Sequence, residues 1–353
     1  MPDYGWAFIA AFVAAFILTP LVIKLAFRTG ALDKPDARKV HKTPIPRIGG
    51  LGIYIAFMCA MGAYLSIADI PEDAEQGMVG LLVGGSLIAL LGLIDDYEDL
   101  PAKIKLLGQI VCAGVAVGLG VRIDFITDLS GDIMYLYDYV TIPLTIFWLV
   151  GITNTVNLID GLDGLAAGVA TIASITIFLV ALQMDIALVA AVTASLAGAA
   201  FGFLHYNFNP ARIFMGDSGS MFLGFMLAGI SIVGAIKSAT TIALIVPILA
   251  LGLPICDTTF AIIRRAHAHV PIFKPDKGHL HHRLLSLGFT QRQAVLLMYV
   301  ISALLGFSAI ALTEVSIGVA ALIIVGVIIT VLCGAKKLGI FKMATPSDAA
   351  RIH

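Results

Sequence analysis

Charged residues are scarce in this 353-residue sequence: Asp, Glu, Lys and Arg make up 13%, whereas 59% of the residues are hydrophobic and the mean hydropathy is +0.99. A soluble domain typically has about 25% charged residues. The scarcity of charge excludes a water-facing surface over most of the chain, so lipid must be its main solvent. The net charge of −1 does not bear on nucleic acid, and we expect no nucleic-acid partner.

Cysteine is also scarce, and a basic leader is missing. The four cysteines lie within apolar runs and share no spacing, which predicts neither a disulfide framework nor a zinc site. The first apolar run, about 6–27, is too long for a signal-peptide core and no basic region precedes it, so we predict an uncleaved span. No soluble segment, linker or low-complexity stretch is visible, which predicts a single integral-membrane domain over 1–353.

Long apolar runs are abundant instead. A helix needs about 20 apolar residues to cross the hydrocarbon core. The predicted fold is therefore an all-α polytopic membrane protein, with a small outer-face hairpin at 121–139 around Ser130-Gly131-Asp132. We predict eleven spans, at about 6–27, 48–68, 77–94, 104–120, 140–158, 162–183, 186–205, 219–236, 239–263, 294–313 and 315–335.

Lysine and arginine predict the direction of the spans, because cytoplasmic loops carry an excess of both. With Lys105 counted at the loop edge of the fourth span, all but three of the 22 basic residues fall in the loops and tail on the C-terminal side of the odd-numbered spans. The three exceptions are Lys24, Arg122 and Lys237. We therefore predict an outer N-terminus and a cytoplasmic C-terminus in a plasma membrane.

Paired carboxylates close the third run on the cytoplasmic side. Asp95 and Asp96 are adjacent, Asp99 follows one helical turn after Asp95, and Lys105 comes soon after. Adjacent carboxylates repel each other unless a cation lies nearby. The alternative is a solvated acidic loop that ends at a proline.

A second polar cluster interrupts the fifth and sixth runs. Asn154, Asn157, Asp160 and Asp163 follow one another at steps of three, with glycines that permit a tight turn. Amide and carboxylate oxygens suit a hard cation such as Mg²⁺. A polar helix–helix turn is the alternative.

A third cluster runs from His205 through Asn207 to the segment 216–220, Gly-Asp-Ser-Gly-Ser, which opens the eighth run. Free N–H groups at a helix start favour anions or a capping carboxylate. A simple N-cap role for Asp217 or Ser218 is the alternative. A serine-protease loop is a weak match, because nothing around it resembles that fold.

The loop 264–293 is basic and holds three histidines, His279, His281 and His282, followed by Arg283. A zinc site would need cysteine or acidic companions, whereas six Lys and Arg residues favour phosphate. Chance loop histidines are the alternative. The first cytoplasmic loop, 28–47, is similarly basic and includes Lys42.

The ninth run contains Pro247, Gly252 and Pro254, which predict a bend or break. Such a bend could shape a groove for a long lipid chain, with packing irregularity as the alternative. Asp257 in this run is predicted to pair with Arg264 or Arg265. Carboxylates that hold Mg²⁺ within a ring of bases are typical of diphosphate chemistry.

In their order, these motifs resemble the polyprenyl-phosphate N-acetylhexosamine-1-phosphate transferases over nearly the whole chain. Within that family the histidine motif and the first basic loop are most similar to the WecA/TagO group, which starts O-antigen, enterobacterial common antigen or teichoic acid synthesis. The matching motifs are Arg38-Lys39-Val40-His41, Pro46-Arg47-Ile48-Gly49-Gly50, Asp95-Asp96-Xaa-Xaa-Asp99, Asn154-Xaa-Xaa-Asn157-Xaa-Xaa-Asp160-Gly161, Phe214-Met215-Gly216-Asp217 and His279-Leu280-His281-His282.

The resemblance implies transfer of GlcNAc-1-phosphate from UDP-GlcNAc to undecaprenyl phosphate with release of UMP, using Mg²⁺ or, as an alternative, Mn²⁺. It implies metal binding by Asp217 and Asn157, catalytic roles for Asp95 as the base and Asp96 as its partner, and a phosphate contact for Lys105. It further implies a catalytic role for His282. Substrate contacts are implied for Lys42, Asp99, Asp160, Asp163, Asn207, His279, His281 and Arg283.

Two other functions are kept as alternatives. The MraY branch of the same family uses the larger donor UDP-MurNAc-pentapeptide and has a differently composed basic loop. A secondary transporter would place ionisable groups near the bilayer midplane in helices related by internal repeats. Here the acids cluster at helix ends on one side and no repeat is visible. A homodimer is left open.

Overall fold

The computed structural model describes residues 3–33, 43–68, 72–127, 133–238, 241–267 and 278–339. Within these ranges the chain is almost entirely helical, with two small antiparallel sheets, β1–β2 and β3–β4. The helices are α1 (Asp3–Thr29), α2 (Gly50–Ile67), α3 (Glu72–Glu98), α4 (Ala102–Gly118), α5 (Asp138–Ile159), α6 (Leu165–Gln183), α7 (Ala187–Asn207), α8 (Gly216–Ser238), α9 (Thr241–Ala250), α10 (Gly252–His267), α11 (Leu280–Ser286), α12 (Gln291–Leu312) and α13 (Ile317–Lys337). The strands are β1 (Leu32–Asp33), β2 (Ile45–Pro46), β3 (Phe125–Thr127) and β4 (Ile133–Tyr135).

Nine helices among the described residues are long and apolar enough to cross a membrane: α1, α2, α3, α5, α6, α7, α8, α12 and α13. The predicted polytopic helical architecture is therefore confirmed. Helix α4 follows the predicted fourth run but has only 17 residues. The count of eleven spans and the direction of the termini stay predictions.

The predicted ninth span is broken into two helices. Helix α9 ends at Ala250 and α10 begins at Gly252, so the break falls between Pro247 and Pro254. Proline is tolerated in the first turn of a helix, where its missing N–H would have no intrahelical partner. The predicted break is confirmed. Helix α10 is therefore a separate helix that precedes the segment His279–His282, the histidine segment.

Helix α8 lies at the centre of the bundle, between α3 and α5. In its membrane-spanning window 89% of the residues are buried, against 11% for α13 at the edge. Helices α1 and α7 pack closely through Gly198 and Gly202, where an added Cβ would lie 2.3 Å from Phe8 O and 2.5 Å from Phe12 O. Small residues spaced four apart allow this close approach in membranes.

The predicted hairpin is confirmed by the pairing of β3 with β4, in which Phe125 lies opposite Tyr135, and its place on the outer face stays a prediction. Its turn falls outside the described residues. On its flanks Arg122 forms ion pairs with Asp124 and Asp138, and these pairs fasten the hairpin to the start of α5.

The starts of α2 and α8 lie side by side. Gly49 N donates to Phe214 O at 3.0 Å and Gly50 N donates to Met215 O at 2.7 Å. A Cβ added to Gly50 would lie 1.9 Å from Gly219 N, so only glycine fits there. This contact fixes the first turn of α8, which carries Asp217.

Candidate active site

Four helices bring one charged cluster together around Asp217, in the first turn of α8. Lys105 Nζ of α4 lies 3.0 Å from Asp217 Oδ2 and also forms an ion pair with Asp95 of α3. Asn157 Nδ2 of α5 donates to Asp217 Oδ1 and, at 2.8 Å, to Ser220 Oγ. Residues far apart in the sequence thus meet at one site, with Lys105 as the counter-charge of two carboxylates.

Asp96 is buried and caps helix α8 from α3. Its carboxylate accepts from Asp217 N at 2.7 Å, Ser218 N at 3.1 Å and Ser218 Oγ at 2.6 Å. A carboxylate at a helix start satisfies free N–H groups and interacts favourably with the helix dipole. Since both oxygens are engaged, Asp96 holds Asp217 in place. An added Cβ at Gly216, where φ is +71°, would lie 2.5 Å from Asp96 Oδ1, so this turn requires glycine.

Asp95 and Asp99 occupy different surroundings at the end of α3. Asp95 Oδ1 accepts from Leu100 N at 2.7 Å, and its other oxygen contacts Lys105. Asp99 is 82% exposed and pairs with Arg47 Nη2 at 2.7 Å. The same nitrogen donates to Asp95 O at 3.2 Å. Asp99 therefore lies at the rim, where Arg47 ties the segment before α2 to α3.

An amide pair that the sequence analysis missed, between buried Gln109 and half-buried Asn154, joins α4 to α5. Asn154 Nδ2 donates to Gln109 Oε1 at 2.6 Å, and Gln109 Nε2 donates back to Asn154 Oδ1 at 3.3 Å. Gln109 lies one turn beyond Lys105, and Asn154 lies one turn before Asn157. The pair therefore sets the register between the two side chains that flank Asp217. The spacing of four between Lys105 and Gln109 in an apolar run could have indicated it.

Asp160 follows the last residue of α5 and is half-buried. Burial, together with the negative charges of Asp217, Asp96 and Asp163, raises the pKa of Asp160 to about 8. Burial is the largest cause of this rise, and the neighbouring carboxylates add to it. A bound divalent cation would reverse that effect and favour the ionised form.

The donor set around Asp217 fits a magnesium ion. Among the described residues no three His, Cys, Asp or Glu side chains are arranged to hold a metal by themselves. A cation bound to Asp217 and the amide oxygen of Asn157 would need water and phosphate oxygens to complete its shell. Mg²⁺ characteristically binds in this way, through one or two carboxylates, several waters and substrate phosphates.

Asp163 and Asn207 hold loops of the backbone together. Asp163 Oδ2 accepts from Asn209 Nδ2 at 2.9 Å and from Ala211 N at 3.0 Å. Asn207 is buried, accepts from Gly164 N at 3.1 Å and donates to Ile213 O at 2.9 Å. In this structure both side chains fix the loops that lead into α6 and α8.

The histidine segment packs against the turn after α5. His279 and His281 stack with ring centroids 5.8 Å apart, and His281 lies 4.1 Å from the ring of His282. A Cβ added to Gly161 would lie 2.7 Å from His281 Nε2, so this glycine admits the ring. Burial, with a smaller effect of His282, lowers the pKa of His281 to about 3. His281 is therefore neutral near pH 7 and offers a hydrogen bond rather than a charge.

Asp257 contacts the start of the histidine segment, and its expected pairing with Arg264 or Arg265 stays a prediction. Its carboxylate lies 2.8 Å from His279 Nδ1 and accepts from Leu280 N at 2.8 Å. The acid is thus joined to the start of the histidine segment. The sequence shows arginines within helical reach, but not that the chain returns to place His279 beside Asp257.

Two further predicted residues lie in α11. Arg283 is buried in α11, and His282 beside it is half-buried. Lys42 lies outside the described residues.

The sequence of this chain is similar to those of known proteins over most of the chain's length. The family model described as glycosyl transferase family 4 matches residues 78–235. A probable undecaprenyl-phosphate N-acetylglucosaminyl 1-phosphate transferase of Bacillus subtilis is 41% identical over 321 residues, covering 90% of this chain and 87% of the relative. A decaprenyl-phosphate N-acetylglucosaminephosphotransferase of Mycobacterium tuberculosis is 35% identical over 327 residues, covering 85% and 80%. A phospho-N-acetylmuramoyl-pentapeptide-transferase of Desulforudis audaxviator is 30% identical over 335 residues, covering 87% and 96%.

Proposed function

The chain belongs to glycosyl transferase family 4, the polyprenyl-phosphate N-acetylhexosamine-1-phosphate transferases, and we propose that it transfers GlcNAc-1-phosphate from UDP-GlcNAc to undecaprenyl phosphate. The products are UMP and undecaprenyl-diphospho-GlcNAc. The 41% identity to a relative with that name, against 30% to a pentapeptide transferase, carries the proposal. Release of UMP tests it. We further propose that the lipid product starts a cell-wall glycan such as teichoic acid or O-antigen.

The reaction exchanges one phosphoanhydride partner for another. An oxygen of the lipid phosphate forms a bond to the phosphorus that carries the sugar, and the bond from that phosphorus to the UMP oxygen breaks. Asp95 is proposed to take the proton of the lipid phosphate, which leaves the attacking oxygen charged. Lys105 is proposed to contact phosphate oxygens, and its ion pairs with Asp95 and Asp217 support this role.

Asp217 and Asn157 are proposed to hold Mg²⁺, with Mn²⁺ as an alternative because it also prefers oxygen ligands. The bound ion would neutralise charge on the diphosphate. Asp96 keeps the ligand Asp217 in position by capping α8. His282 and Arg283 are proposed to contact the diphosphate or the sugar, and His279 and His281 to complete that side of the site.

We propose that the active site faces the cytoplasm, with the N-terminus outside. The asymmetry of basic residues supports this direction. The helix ends that carry Asp95, Asp217 and Asn157 meet at one cluster, which supports a site on a single face.

The topology predicts the accessibility of introduced cysteines. A single cysteine in loop 28–47 or loop 264–293 should resist an impermeant thiol reagent in intact cells and react after the cells are opened. A cysteine in the outer hairpin at 128–132 is the matched control and should react in intact cells. Labelling of both basic loops from outside would contradict the orientation and the proposed side of the site.

A further inference from the structure

A buried carboxylate lies outside the cluster that surrounds Asp217. Asp257 is on α10, six residues after the break that follows α9, and is 4% exposed. A carboxylate in such surroundings costs free energy unless it is hydrogen-bonded or paired. The hydrogen bonds of Asp257 must therefore offset the free-energy cost of burying its carboxylate.

Both oxygens of Asp257 meet the start of α11. Oδ1 accepts from Leu280 N at 2.8 Å, and Oδ2 lies 2.8 Å from His279 Nδ1. Leu280 is the first residue of α11, whose own N-cap residue, His279, makes no side-chain cap hydrogen bond. A helix of seven residues is marginal by itself, so a cap supplied by another helix stabilises it.

The second contact fixes the protonation pattern of the His279 ring. A carboxylate can only accept, so Nδ1 carries the proton that is shared with Asp257 and Nε2 remains available to another group. Carboxylate partners of this kind set the tautomer and the orientation of functional histidines. Since the His279 ring stacks on His281, its orientation also determines where His281 lies against Gly161.

We propose that Asp257 is a positioning residue that orients the His279–His282 segment toward the donor diphosphate through His279 Nδ1 and the start of α11. The proposal rests on the proposed function, because the histidine segment contacts the donor only if the chain is this transferase. The break between α9 and α10 thereby has a role: it lets α10 carry Asp257 beneath the histidine segment.

The test measures UMP release by the full-length protein in detergent. Asp257→Asn keeps an acceptor for Leu280 N but turns an N–H group toward His279, which forces the other tautomer. We expect kcat/KM to fall about 10–100-fold, the usual loss for a group that orients a functional histidine. The control Asp138→Asn changes an exposed acid that pairs with Arg122 and should leave activity unchanged.

A double-mutant cycle separates positioning through His279 from a general loss of structure. If Asp257 acts through His279, the double variant Asp257→Asn/His279→Ala should be no worse than His279→Ala alone. Losses that multiply, or an Asp257→Asn variant as active as the wild type, would overturn the proposal. If Asp257→Asn does not fold, Asp257→Glu takes its place, with weakened activity expected and the same non-additivity required.

Hydrogen–deuterium exchange supplies a readout that needs no substrate. In Asp257→Leu the amides of 280–286 should exchange faster than in the wild type, whereas those of α12 should not change. Unchanged exchange in α11 would overturn the capping role. A wild-type protein that releases no UMP but shows this difference would refute the proposed function while leaving the link between Asp257 and α11 intact.

Discussion

Asp217→Asn should raise the Mg²⁺ concentration required for half-maximal UMP release, whereas Asp95→Asn should lower the maximal rate about 10²–10⁴-fold at every Mg²⁺ concentration. The two side chains share Lys105 but have different neighbours. Asp217 also contacts Asn157, the second proposed ligand, whereas Asp95 is held by Leu100 N. Removing a charge from a metal ligand weakens Mg²⁺ binding, and a higher Mg²⁺ concentration compensates for the lower affinity. Removing a proton acceptor cannot be compensated in that way.

Magnesium titration of the two variants beside the wild type gives the measurement. Asp138→Asn, which removes the carboxylate that pairs with Arg122 beside the hairpin, is the control and should titrate like the wild type. Identical responses of Asp95→Asn and Asp217→Asn to Mg²⁺ would contradict the division of roles. Activity that survives complete chelation of divalent cations would contradict the metal site itself.

The donor should be UDP-GlcNAc, with no detectable turnover of UDP-MurNAc-pentapeptide, and His282→Ala should lower kcat/KM about 10²–10³-fold, as expected for loss of one well-placed hydrogen-bond donor. Helix α11 has only seven residues, and its His281 ring lies against Gly161. Such a compact segment can hold a diphosphate and a small sugar. Binding of the small donor must then depend on a few contacts, so losing one is severe.

A side-by-side assay of the two donors, with UDP-GalNAc added as the 4-epimer, provides the test. His205→Ala is a matched control, because His205 is exposed and its ring contacts Phe16 and Tyr206 instead of the site. Efficient turnover of the pentapeptide donor would contradict the subgroup while leaving the family intact. A His282→Ala variant as active as the wild type would contradict the role of the histidine segment.

The helical architecture could be predicted from the sequence because it depends on local properties. Apolar runs predicted the membrane helices, the turn residues 130–132 predicted the hairpin, and a bend or break in the ninth run was predicted from Pro247, Gly252 and Pro254. These features require only the length of a run or the conformational limits of single residues. The number of spans was harder to predict from the sequence, because α4 is short and one apolar run forms two helices, α9 and α10.

The residues of the charged cluster around Asp217 could be predicted from the sequence, but the hydrogen bonds between them could not. Placing all the acidic motifs at helix ends of one side indicated that Asp95 and Asp217 would meet. Whether a carboxylate caps a helix, as Asp96 does, or binds a histidine, as Asp257 does, depends on partners more than 20 residues away. Periodicity and composition contain no information about such pairs, and the neighbouring arginines gave no indication that His279 contacts Asp257.

The central claim is most directly tested by UMP release from UDP-GlcNAc by the purified full-length protein with undecaprenyl phosphate and Mg²⁺. We predict UMP and a lipid-linked GlcNAc diphosphate in equal amounts, with neither formed when the lipid phosphate is omitted. The Asp95→Asn variant in the same assay should form little of either product. Absence of UMP release by a folded wild-type protein with all three components present would contradict the proposed function.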